Sequence, residues 1–485
     1  GSEAGNISVN GQGVTTADGW GAFIAGSWST VDGDINIRGA GTSSPTRGGE
    51  GVRLRDIDLF ASSGDGPDAG NISITGSAEN RLAVLLENST GVLSTVDGDI
   101  TLSDSDDSGI LVDGFGGLAS TGTGEHAGKI TIAEKSVSIQ NLGTGISSVD
   151  GDIFIASQAD EVSGTGLALI NFGFIQSTGT GPDAATITLI GTASDGASFR
   201  HGLSISGSTS ENAVIRSVDG DISLTGTGGD RTDPTNRFSE NRGASIANVS
   251  IESTGTTADA ALITITGTGG ESGRNGYGVY LVDSELDSVA GDVFLAGNAS
   301  AGQGVYLLRT NTELSGTGPL APDLAVTGSS IQVIGNVSTI DGNFSAISSG
   351  SNFSGAFQST GVGTFTVEAT GVGGQANVSG TIESTTADIT VRGPLVSVAG
   401  VHSIGTGPDA AGIFAEGHRV FVTSGEITTV DGPITLVSQE DVGESTSAGV
   451  FVRNAIRSTG TGADAQAISI SSFGSTNSVG IRLQV

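Results

Sequence analysis

The chain has 485 residues, with 19 Lys and Arg against 52 Asp and Glu, a formal net charge of −33. That balance excludes a nucleic-acid binder, which needs a basic footprint, and attachment by charge to an anionic membrane surface. Cysteine and methionine are absent, so no disulfide framework can form, and a location outside the cell is expected, where thiols mispair and thioethers oxidise.

From the first residues onward two phrases take turns. The short one reads STVDGDI at 29–35 and 94–100, SSVDGDI at 147–153 and RSVDGDI at 216–222. The long one reads SSGDGPDAGNISI at 62–74, STGTGEHAGKITI at 120–132, STGTGPDAATITL at 177–189, STGTTADAALITI at 253–265 and STGTGADAQAISI at 458–470. Self-similarity at this period marks an array whose units cannot bury an apolar face alone. The 81 glycines fit that pattern, since they sit at fixed offsets beside β-branched residues and so read as turns between strands.

Three short apolar segments recur in each unit. Segment a follows the phrase, as in Ile35/Ile37, Ile72/Ile74, Ile100/Leu102, Ile130/Ile132, Ile153/Ile155, Ile187/Leu189 and Ile222/Leu224. The spacing of two puts both side chains on one face of a strand. Segment b usually opens with glycine: GVRL at 51–54, GLAL at 166–169, GLSI at 202–205, GVYL at 278–281 and 304–307, GVFV at 449–452. Segment c is an aliphatic residue before the phrase, as in Leu93, Ile215, Ile251, Leu286, Leu314 and Ile456. Segments this short, separated by Gly, Ser, Thr and Asp, predict an all-β fold: a parallel β-helix (β-solenoid) with three short strands per coil and roughly 17 coils.

The whole of 1–485 reads as one continuous solenoid. Within it, 1–328 and 429–485 carry loop inserts, whereas 329–428 consists of compact, nearly insert-free coils. The inserts 39–50, 103–109, 191–201, 226–242, 267–277 and 438–447 all follow segment a, so they are expected on one edge of the prism. The chain opens within a coil, at a segment a, and closes at a segment b, so it is expected to be a processed or excised piece that stacks end to end on further copies or on a continuing chain.

Candidate chemistry is sparse. The Asp pairs of the short phrase, such as Asp97/Asp99, and the cluster Asp104, Asp106 and Asp107 offer hard oxygens for calcium. The plainer reading gives the first Asp of each pair a hydrogen bond within its own turn, with the following glycine at positive φ. His126, His201, His402 and His418 stand apart, without ligand spacing for zinc. No catalytic or cofactor-binding residue is singled out. Tyr277, Tyr280, Tyr306, Trp20 and Trp28 offer aromatic contacts for a sugar or a partner; the favoured reading is a cross-strand ladder, since Tyr280 and Tyr306 occupy the outward place in successive GVYL segments and are expected to stack one coil apart.

These repeats resemble those of filamentous-haemagglutinin-like, two-partner-secreted bacterial exoproteins. The resemblance implies a right-handed β-helix, export to the cell surface and a role in adhesion or as a fibre. The expected function is therefore an extracellular structural or adhesive rod that is not an enzyme, with surface glycans or other cells as partners. The alternative is a carbohydrate-active β-helix enzyme, a polysaccharide lyase or hydrolase.

Overall fold

The computed structural model describes residues 5–14, 19–42, 49–79, 81–106, 108–159, 164–195, 200–208, 212–230, 240–271, 276–300, 302–439, 449–461, 465–473 and 480–483. Every strand pair in it is parallel, and the a segments form one sheet of 17 strands, from Ile7–Gln12 through Ile35–Gly41 and Ile72–Ala78 to Ile468–Ser472. Each a strand lies on its equivalent in the next coil without slippage: Ile72 pairs with Ile100, Ile100 with Ile130, and Ile130 with Ile153. At about 4.8 Å per strand the rod is roughly 80 Å long.

The remaining 29 strands form columns b and c. They join into one sheet because Ala22–Thr30, Val52–Ser62, Val305–Leu314 and Ile331–Thr339 run through the corner between them. Period-two patterning sets the inside: Ile100 and Leu102 are fully buried with Thr101 between them half-exposed, and Ile187 and Leu189 repeat the arrangement. The three inward columns make one continuous apolar core, mostly aliphatic, with phenylalanines such as Phe60, Phe115 and Phe365 among them.

The inserts run from the end of an a strand to the start of a b strand in each coil that has one, for example from Ile222–Thr227 to Ala244–Ala247 and from Ile263–Thr268 to Val279–Val282. They therefore share one edge. In the compact coils that connection nearly vanishes, as between Leu324–Gly328 and Ile331–Thr339.

Two expectations need correction. The aspartates of the short phrase do not bond within their own turns but across coils. Asp97 Oδ2 accepts the Gly66 N–H of the preceding long corner at 2.5 Å, and the same bond joins Asp150 to Gly124, Asp219 to Gly181, Asp341 to Gly318 and Asp431 to Gly407 at 2.7–2.8 Å. The glycines held this way are the ones at positive φ, whereas Gly98, between Asp97 and Asp99, is not. Gly98 is required by close approach instead, since a Cβ there would lie 2.0 Å from the Gly70 carbonyl oxygen of the coil below. The second correction concerns Leu314. It pairs with Ser288, while Thr312 pairs with Leu286, so the aliphatic and hydroxyl places are exchanged in this coil.

Candidate functional site

The outward residues of column b form one unbroken row along the rod, one per coil. It begins at Phe23 and Arg53, passes through Ser204, Ser245, Tyr280, Tyr306, Gln332, Asn352, Asn377 and Ser397, and ends at Phe421, Phe451 and Arg482. Parallel register places these side chains about one strand spacing apart. Aromatic rings and arginines concentrate at three stations on the row.

The middle station is the largest. Tyr280 and Tyr306 stack as expected, with centroids 5.5 Å apart and planes 12° apart, and Tyr277 lies against both at 5.1 and 5.2 Å. The Arg242 guanidinium sits 3.7 Å from the Tyr280 ring centroid, a close cation–π contact. Glu240 pairs with that guanidinium at 2.5 Å, and Ser245 accepts from its Nη1 at 3.1 Å, so the cation is fixed and neutralised. Beneath it, the Arg242 N–H donates to His201 Nδ1 at 3.3 Å. Burial, with the Arg242 charge beside it, lowers the His201 pKa to about 4, so the imidazole is neutral and free to accept that bond. Burial also raises the Tyr277 phenol, which stays protonated. At the first station Trp20 stacks on Phe23 at 5.3 Å and Arg53 lies 5.1 Å from Trp20 while bonding Glu87. At the last, Arg482 lies 5.5 Å from Phe451.

Beyond Tyr306 the row turns to amides. Gln332 bonds Gln303, and on the neighbouring b–c corner Asn336 Nδ2 donates to Asn311 Oδ1 at 3.0 Å. A shallow groove of about 580 Å³ runs beside them, lined by Asn311, Ile334, Asn336 and Thr381 and floored by Gly335, Gly355 and Gly380. The floor has to be glycine: a Cβ on Gly355 would lie 1.6 Å from the Gly335 carbonyl oxygen, and one on Gly380 equally close to that of Gly355. Arg309 closes one end, and its guanidinium is paired with both carboxylate oxygens of Asp283 at 2.5 and 2.6 Å.

The calcium candidates are placed differently. Asp97 binds the Gly66 N–H, and Asp99 Oδ1 accepts the Lys129 N–H at 2.8 Å. Asp104 holds its own loop, accepting from the N–H groups of Asp106 at 2.8 Å and Gly109 at 2.6 Å, and Asp106 accepts from Ser108 at 2.6 Å. Asp107 lies outside the described residues. Among the described residues no three His, Asp or Glu side chains converge as a metal ion requires.

Column c carries a separate acidic ladder. Glu252, Asp287 and Glu313 are in register on three successive coils, with Glu285 on the same strand as Asp287. Burial first, then the charges of Glu285, Glu313 and Glu252, push the Asp287 pKa up to about 6. A raised carboxyl pKa means the charged form costs stability above about pH 6, and that the cost disappears as pH falls toward the unfolded value of 3.8. Asp287→Asn is therefore expected to stabilise these coils at pH 8 by about 1–2 kcal/mol, after allowance for solvent screening of a half-exposed group. Denaturation at pH 8 and pH 4 checks this, because the gain must vanish at the lower pH.

The row of amides was not anticipated from the sequence. In the compact coils Ser330 and Gln375 replace the glycine that announces segment b elsewhere, and Gly350 is followed by Ser351 rather than an aliphatic residue, so IQV at 331–333, SNF at 351–353 and ANV at 376–378 did not stand out as b strands. No family model matches this sequence, and no curated protein or solved structure matches it either.

Proposed function

We propose that this chain is a stiff structural or adhesive rod, part of an extracellular bacterial surface fibre of the filamentous-haemagglutinin-like kind. The observation that carries the reading is the uninterrupted parallel register of 17 a strands, in which each coil repeats the one below it. A body built this way resists bending, because every strand bonds to the strands of the coils above and below it. Its side chains form long rows rather than a single enclosed site, and rows suit attachment at many points. The acidic surface keeps such a strand-rich body from clumping. Axial partners, further copies of the chain or further coils of a longer one, belong to the same proposal. Negative-stain microscopy of native material tests it: rods or filaments are expected, and compact globular particles would reject it. Intact mass then separates 47.8 kDa subunits from one heavier polypeptide.

One observation favours the enzyme reading. Asp287, titrating near pH 6 among Glu252 and Glu313, has the character of a general acid for glycosidic cleavage. Release of reducing ends from a polysaccharide, abolished in Asp287→Asn, would establish that reading over the rod.

A further inference from the structure

We infer that column b between Tyr280 and Ser397, together with the glycine-floored groove beside it, binds a neutral linear polysaccharide lying along the rod axis. The inference rests on the adhesive reading above and names its partner.

The first argument is charge. In a chain of net charge −33, the row Tyr280, Tyr306, Gln332, Asn352, Asn377 and Ser397 crosses six successive coils without an ionisable acid or base other than phenol. The second outward row of the same face, Val282, Leu308 and Ile334, is also neutral. Among the described residues, Arg242 and Arg309 at its margins are already paired, with Glu240 and Asp283 respectively. Among the described residues an anionic polymer finds no unpaired positive charge here, and it meets the field of the whole protein. A polycation would be drawn to the acidic ladder of column c instead.

The second argument is hydrogen-bonding chemistry. None of the three phenolic hydroxyls at the middle station bonds a described residue, although each both donates and accepts. A polyhydroxylated chain supplies donors and acceptors to such groups at every residue, and planar amides are suited to pairs of vicinal hydroxyls. The partly exposed Leu308 and Ile334 offer apolar contact for the C–H faces of pyranose rings.

The third argument is shape. Gly335, Gly355 and Gly380 stack on one another, so their groove is narrow and parallel to the axis, open to an extended polymer and too shallow to enclose a small ligand. Repeating residues on the protein meet repeating residues on the ligand, so that weak contacts add along the rod.

The test is affinity electrophoresis of the full chain in gels containing galactomannan, hydroxyethyl cellulose or polygalacturonate. Retardation by at least one of the two neutral polymers, and none by polygalacturonate, is expected. Tyr306→Ala and Asn336→Ala should each weaken retardation about tenfold, the scale of losing one well-placed anchor. Asn352→Asp, which keeps size and adds one charge, should weaken it as well, and circular dichroism should be unchanged in all three. The inference is overturned if neither neutral polymer retards the chain, if polygalacturonate retards it more, or if the variants bind like the parent. Microscopy of the same samples keeps the two readings apart: rods that bind no neutral polymer reject this inference alone, whereas bound globular particles reject the rod.

Discussion

Phe365→Ala is expected to destabilise the compact coils by about 3–5 kcal/mol, the largest effect of any single truncation considered for this chain. Phe365 is fully buried and sits at the centre of a four-ring cluster: Phe344 and Phe353 lie 5.1 Å away and Phe357 4.7 Å. Phe344 and Phe365 are paired a residues at places where most other coils carry Ile or Val, and Phe353 and Phe357 come from columns b and c. One ring from each wall and a fourth beneath fill the width of the prism here. Removing one leaves a void that no flexible loop can fill, since these coils have almost none. Because a repeat array is stabilised by neighbours, the loss should be read locally, as faster amide exchange in Phe344–Ser348, Phe365–Ala369 and Ile389–Arg392. Phe365→Leu should cost less than about 1.5 kcal/mol if packing volume is what matters. Equal losses from Leu and Ala would point instead to ring-specific contacts.

Column a, and column b outside the compact coils, were legible because their rule is local. Ile100 and Leu102 announce a strand by spacing alone, and an insert between segment a and segment b can leave only from that edge. The b–c corner was not legible. Here Asp56, Asn88, Asn141, Asn171, Asn248 and Asp283 take φ between 45 and 55°, the left-handed region that Asn and Asp tolerate better than other side chains. The signal was present, an Asn or Asp following segment b in ENS at 87–89, QNL at 140–142 and VDS at 282–284, but Asn and Asp are frequent enough in this chain to hide it. Arg309 stands at the same corner with φ 52°, and no propensity rule would put it there; its bond to Asp283 in the coil below holds it. The exchanged places of Thr312 and Leu314 follow on the same strand. Residues read by what they touch in the next coil, rather than by their neighbours in sequence, were the ones misread, and the aspartates of the short corners are the main case.

That case yields the second large effect. Asp219→Ala is expected to loosen the coils on both sides of it by about 1–3 kcal/mol, the cost of leaving a partly buried donor unsatisfied. The Asp219 carboxylate lies between two long corners. Its Oδ2 accepts the N–H of Gly181, which stands at φ 82° in the corner below, and its Oδ1 lies against Gly255 of the corner above, where a Cβ would come within 2.4 Å. A short corner thus supplies the acceptor that a long corner's left-handed glycine needs, and a long corner supplies the side-chain-free surface that the carboxylate needs. This mutual requirement explains why the two spellings alternate: two long corners in succession would leave the lower glycine N–H without its acceptor. Asp219→Asn keeps an acceptor oxygen and should recover part of the loss. The latch at Asp341 has a pH dependence of its own. The N–H groups of Gly318 and Val362 lower its pKa, so its contribution is present above the unfolded value of 3.8 and is lost as pH falls through the lower folded value. Amide exchange in Ile187–Thr192 and Ile222–Thr227 measures the Asp219→Ala effect, and unchanged protection in both strands would mean that the alternation is a habit of the sequence with no energetic basis.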